Sequence, residues 1–204
     1  MRPLRVLFDM SLADNPAGTG VYARGLLGGL DRLDGIEVVR SRFHGNSTRS
    51  VDLTTKPPLR RGMNAINHLR YYALALPALA RTVRADVIFS PGVLGPLRGS
   101  TPSVVTVLDL SPLRYAATIH WANRLYLGTM LRIQLTRSAG VCTISVAVSR
   151  ELRERFPDLA TPIHVIPVGL NQELHGTAPR PLPGIDRPFF LMVGTLELAT
   201  ALSK

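Results

Sequence analysis

Residues 4–30 read LRVLFDMSLADNPAGTGVYARGLLGGL, and their order decides the fold. A short apolar run, Val6, Leu7 and Phe8, leads into a small-residue loop of Ala17, Gly18, Thr19 and Gly20. Leu26, Leu27, Leu30 and Leu33 then recur at helical spacing. The stretch is a strand, a glycine loop and a helix start. Such a junction aims backbone N–H groups and the positive end of a helix dipole at one spot, which suits a phosphate. Glycines that only let the chain turn are the plainer alternative.

The same alternation continues along the chain. Ile36 to Phe43 follows the turn signal Asp34-Gly35 and reads as a second strand. Residues 44–62 are polar and basic and read as a loop. From 64 to 84 the spacing predicts a helix with Ile66, Leu69, Ala73, Leu76, Ala80 and Val83 on one face and Arg70, Arg81 and Arg84 elsewhere. Pro77 is expected to kink or split it. A helix of this kind can lie on an anionic membrane, but covering a core is its commoner use.

Asp86 to Ser90, Val104 to Leu108, Val141 to Ser145 and Ile163 to Ile166 read as buried parallel strands, with helices over 117–138 and 146–156. The fold expected is α/β, a doubly wound Rossmann-like parallel sheet. His164 inside the last of these strands is expected to be a core histidine rather than a ligand or base. Asp109 falls at the carboxyl end of a strand, the edge where open parallel sheets bind ligands, although an aspartate there can equally cap the next turn. After residue 167 prolines and glycines accumulate, and Phe189 to Val193 opens a fresh strand. The domain reading is 1–170 for the first domain, 171–188 for a linker and 189–204 for the beginning of a second.

Composition narrows the function. No apolar stretch approaches the ~18 residues that span a membrane, and the run behind the basic amino terminus stops at Asp9, too short for a signal peptide. A cytoplasmic protein, peripheral at the inner face of the membrane at most, is expected. Cys142 is the only cysteine, which excludes an intrachain disulfide and a cysteine-cluster metal site. The net charge of +10 favours anionic partners, but the arginines are scattered without a basic block, which argues against nucleic acid.

The glycine loop is not a dinucleotide fingerprint. Ala23 stands where a third glycine would follow Gly18 and Gly20, the loop from Met10 is too long, and Arg40 and Arg42 occupy the place of the ribose-binding acid. A nicotinamide or flavin enzyme is disfavoured, and no cofactor is expected. A Walker lysine, a nucleophile elbow and a metal-spaced histidine pair are also lacking, so no metal site is expected.

Several segments in order carry a resemblance: RVLFDMS and GTGVYARGLL, VVTVLDLSPLRY, VCTISVAVSRELRERF with IHVIPVGLN, and PFFLMVGTLE. Together they resemble the family 4 glycosyltransferases of the GT-B fold, from about Arg5 to Glu197. The resemblance implies the amino-terminal, acceptor-side half of a retaining enzyme that moves a sugar from a nucleotide-sugar donor, GDP-mannose being one example, to a polysaccharide or lipid-linked acceptor. It places Gly18, Thr19 and Gly20 beside the donor's diphosphate and matches Asp109 to the aspartate beside the donor sugar. Gly194, Thr195 and Glu197 would be the remaining loop of the donor domain. Leu108, however, stands where the family has histidine, and Val168 where it has asparagine. After Glu197 the chain reads LATALSK rather than Pro-Arg-Lys-Asn. The expectation is a truncated member, inactive alone, with a non-catalytic acceptor- or membrane-surface-binding half-protein as the alternative.

Overall fold

The computed structural model describes residues 2–41, 66–110, 121–169, 184 and 189–190, with side chains of 121–127 excepted. The chain divides into two compact units, Met1–Val168 and Gly169–Lys204. The architecture below is that of the first. The expected loop 44–62 and the strand residues 191–193 lie outside the described residues.

Six strands form one parallel sheet: β1 (Leu4–Phe8), β2 (Ile36–Arg40), β3 (Val87–Ser90), β4 (Ser103–Val107), β5 (Gly140–Thr143) and β6 (Ile163–Val165). Their spatial order is β2-β1-β3-β4-β5-β6, and every neighbouring pair is parallel. Helix α1 (Gly18–Leu30) joins β1 to β2, α2 (66–82) precedes β3, α3 (Trp121–Arg137) joins β4 to β5, and α4 (Val146–Arg155) joins β5 to β6. The chain leaves β1 toward one edge of the sheet and β3 toward the other. The strand order therefore reverses between β1 and β3, and the carboxyl ends at such a switch point are the usual place for a ligand in these sheets.

Register explains the core. Val39, Leu7 and Ile88 lie in one row across β2, β1 and β3. Leu7 and Ile88 are fully buried against Tyr71, Tyr72, Leu76 and Ala80 of α2. Further along the same face, Val105, Val107 and Val141 meet Leu131 and Leu135 of α3 and Leu152 of α4. On the opposite face Phe8 and Phe89, paired in register, stack with ring centroids 5.7 Å apart. Tyr22 of α1 lies there beside Thr106 and Cys142, and burial raises its pKa and that of the Cys142 thiol. Helix α4 begins with a side-chain cap, Val148 N–H donating to Ser145 Oγ at 3.2 Å. Ser145→Ala is expected to cost about 1 kcal/mol, read as a shift in the denaturant midpoint without change of slope.

Helix α2 departs from the expected phase. Tyr71–Ala75 is a π-helical turn between α-helical residues 66–70 and Leu76–Thr82. Pro77 is its cause. Proline has no N–H, so the carbonyls one turn earlier need other donors. Leu76 N–H donates to Tyr71 O across the wider turn, and Tyr72 O accepts instead from Leu97 N–H at 2.9 Å in the loop after β3. The buried side of α2 is therefore Tyr71, Tyr72, Leu76, Pro77 and Ala80. Ile66 and Leu69, expected on the core face, are exposed. His164 is likewise exposed rather than in the core, since β6 is the edge strand and carries little above it. Helix α1 stops at Leu30 and buries Gly20, Ala23 and Leu27, leaving Leu33 beyond its end in solvent.

Candidate functional site

The rows of the sheet change character at their carboxyl ends. One alternation beyond Val39, Leu7 and Ile88 stand Ser41, Asp9 and Ser90, all buried. The ladder extends to them through Ser41 N–H to Phe8 O at 2.9 Å and Asp9 N–H to Phe89 O at 2.8 Å. Asp9 is 1% exposed and sits in a complete set of donors. Its Oδ1 accepts from Tyr71 OH at 2.9 Å and Ser11 N–H at 3.0 Å, and its Oδ2 from Ser11 Oγ at 3.1 Å.

Each hydroxyl has a single proton, which orders the rest of the network. With Ser11 Oγ donating to Asp9, Tyr72 OH must donate to Ser11 Oγ at 2.8 Å. With Tyr71 OH donating to Asp9, Ser41 Oγ donates to Tyr71 OH at 2.7 Å while accepting Met10 N–H at 3.0 Å. Burial raises the Asp9 pKa against the lowering effect of these bonds. Burial and the Asp9 charge hold both phenols well above their ordinary range, so they remain donors. The π-turn is what lets two consecutive tyrosines reach the same carboxylate. In an α-helix, neighbours point about 100° apart. A wider turn closes that angle.

From this anchor the loop to α1 is built by side chains. Asn15, 7% exposed, accepts Ala17 N–H on Oδ1 at 2.9 Å and donates from Nδ2 to Thr19 Oγ1 at 2.9 Å. Arg24, one and a half turns into α1, reaches back to the carbonyls of Ala13 and Asn15. Gly20 lies where a Cβ would stand 1.9 Å from Asn15 O, so only glycine lets helix and loop meet. Its N–H donates to Ala17 O at 2.9 Å. Gly92, just past β3, leaves room for Leu12, whose Cδ1 a Cβ would meet at 2.5 Å.

The residues singled out from the sequence now have places. Gly18 and Thr19 are the first two residues of α1, whose N-cap residue Ala17 makes no side-chain cap and whose first turn holds no acid. Among the described residues their N–H groups have no acceptor, and Gly18 is exposed. Gly20 is buried, with its N–H on Ala17 O and its missing side chain making room for Asn15 O. Asp109 is exposed two residues past β4, on the same sheet edge. β3 lies between β1 and β4, which puts Asp109 two strand spacings, roughly 10 Å, from the end of β1. Gly194, Thr195 and Glu197 lie outside the described residues and in the second unit.

Against this geometry, the family model described as Glycosyltransferase Family 4 matches residues 16–174. The chain belongs to that family. No curated protein matches it. The match opens at the loop into α1 and covers every element from α1 to β6, so this glycosyltransferase domain takes a sugar donor and an acceptor as its general substrates. No described helix is long and apolar enough to cross a membrane, and no three described His, Cys, Asp or Glu side chains gather as a metal site.

The buried network of Asp9, Ser11, Ser41, Tyr71, Tyr72 and Ser90 at the carboxyl edge of the sheet was not foreseen. The signals existed: an aspartate ending the first apolar run, and a tyrosine pair five or six residues before a helical proline.

Proposed function

We propose that this domain transfers a sugar from a nucleotide-activated donor, such as GDP-mannose, to a polysaccharide or lipid-linked acceptor. The observation that carries the reading is the uncapped start of α1, where the N–H groups of Gly18 and Thr19 have no acceptor among the described residues. Two such donors and an uncompensated helix dipole suit a diphosphate, and they are worth most as negative charge grows on the departing nucleotide. Thr19 Oγ1 accepts from Asn15, which leaves its own proton for a phosphate oxygen. Asp109 is assigned to the donor sugar on the same edge, with its carboxylate accepting from sugar hydroxyls.

Titration of the chain with GDP and UDP, followed by amide NMR, tests this. The Gly18 and Thr19 resonances are expected to shift with either diphosphate and stay in place with guanosine. Gly18 and Thr19 amides indifferent to both diphosphates would sink the assignment. A second reading, that the domain engages an acceptor held at an anionic membrane surface, is favoured by the +10 charge and by the outward face of α2.

A further inference from the structure

Helix α1 holds together weakly for its length. Five of its thirteen residues are glycine. Gly20 is needed for the close approach to Asn15, but nothing lies within 4 Å of a Cβ added at Gly25 or Gly28. Packing therefore gives no reason for glycine at these two interior positions, and each lowers helix formation about four- to fivefold relative to alanine. The ends add little: Ala17 makes no side-chain cap, the first turn holds no acid and the last turn no base. Beside Gly20, the buried residues of α1 are Ala23 and Leu27. Helix α4 is the opposite case, with Ser145 as a cap, Arg153 and Arg155 in its last turn and no glycine.

The strands on either side of α1 are tied to each other without it. β1 and β2 share a parallel ladder from Leu4 to Phe8, Leu4 N–H donates to Gly35 O at 2.7 Å, and Arg5 pairs with Glu37 at 2.8 Å. The helix can therefore unwind while the sheet stays paired. We infer that α1 opens and closes as one unit within the folded domain, and that a nucleoside diphosphate at its first turn selects the closed form. Winding is cooperative, so a helix with so little to hold its separate turns opens as a whole. The open form has lost the helix dipole and the fixed aim of the Gly18 and Thr19 N–H groups, so an anion bound there has a higher affinity for the closed form. Arg24 ties loop to helix in the same sense, since its bonds to Ala13 O and Asn15 O need α1 wound. Leu27 stands roughly 13 Å along the axis from Gly18, beyond the reach of a ligand at the first turn. Any effect of such a ligand on Leu27 must pass through the helix. The diphosphate half of the inference rests on the proposed function, whereas the opening of α1 does not.

Amide hydrogen exchange of the full 204-residue chain, followed by NMR, tests it. In the free protein the amides of Ala23 to Leu30 are expected to exchange together, at least about tenfold faster than those of Leu7 and Ile88 in the sheet. Low urea should hardly change the α1 rates, because little surface is exposed in a local opening, while it speeds the sheet amides. Gly25→Ala with Gly28→Ala should slow the α1 amides about twentyfold, and both substitutions favour the fold. GDP at about a hundred times its dissociation constant should slow Leu27 to Leu30 about a hundredfold, as much as the first turn. If the α1 amides are as protected and as sensitive to urea as those of Leu7 and Ile88, the local opening is overturned. Unchanged rates in the alanine pair would overturn the role given to the glycines. Protection by GDP that stops at the first turn would show the two ends opening independently and overturn the single unit. Gly18 and Thr19 resonances indifferent to GDP would remove the diphosphate half together with that part of the proposed function, and exchange in the free chain would still decide the opening.

Discussion

Gly20→Ala is expected to destabilise the domain by about 3 kcal/mol and lower its melting temperature by roughly 6–12 °C. The added methyl would stand 1.9 Å from the carbonyl oxygen of Asn15 and 3.0 Å from that of Leu12, both backbone atoms, so no side-chain rotation relieves it. Either α1 moves outward or the loop from Leu12 to Asn15 moves away. Both displace the N–H groups of Gly18 and Thr19 from their present aim. The variant should therefore lose nucleoside-diphosphate binding even at temperatures where it remains folded. Gly18→Ala is the matched control: nothing lies within 4 Å of its added methyl, and alanine is the better helix former. It should be neutral or slightly stabilising. Comparable melting of the two variants would contradict the close approach at Gly20.

Asp9→Ala should cost about as much, ~3 kcal/mol, for a different reason. It leaves Tyr71 OH, Ser11 Oγ and Ser11 N–H buried without their acceptor, and each unsatisfied group is worth on the order of 1–3 kcal/mol, partly offset by removing the desolvated carboxyl. Asp9→Asn separates charge from shape. The native-state pKa of Asp9 is raised above its ordinary 3.8 by burial, so the folded protein holds this proton more readily than the unfolded chain. The resulting stability is complete below about pH 3.8 and is lost as pH rises through the higher native value. Denaturant midpoints of wild type and Asp9→Asn, compared from acid to neutral pH, should show the asparagine variant gaining on wild type as pH increases. A gap that is constant or shrinks with pH would mean that the carboxyl is not desolvated in this way.

How far the sequence reaches is clearest element by element. All six described strands coincide with apolar, β-branched runs, the local pattern of a parallel sheet covered by helices, even though the edge strand β6 is itself mostly exposed. The glycine loop was legible for the same reason, since its residue types answer to local backbone demands. Which glycine does what was not: Gly18 and Gly20 look alike in the sequence, yet one is open and the other meets Asn15, a distinction set by how the loop folds back. The face of α2 escaped because a helical wheel assumes a constant turn of about 3.6 residues, and Pro77 changes that period upstream of itself. The Asp9 network escaped because it joins residues as far as 81 positions apart, and only strand order brings β1, β2 and β3 side by side.

The π-turn of α2 can be viewed as an ordinary helix carrying one surplus residue. Deleting Ala73 would restore α-helical hydrogen bonding and rotate everything before it by about 100° relative to Leu76 and Ala80, which stay seated on Leu7 and Ile88. Tyr71 and Tyr72 would swing off the carboxylate, and Ile66 and Leu69 would turn toward the protein. One codon's worth of chain thus couples what the helix presents to the sheet edge with what it presents to its surroundings, and neither face can be altered by a length change here without altering the other.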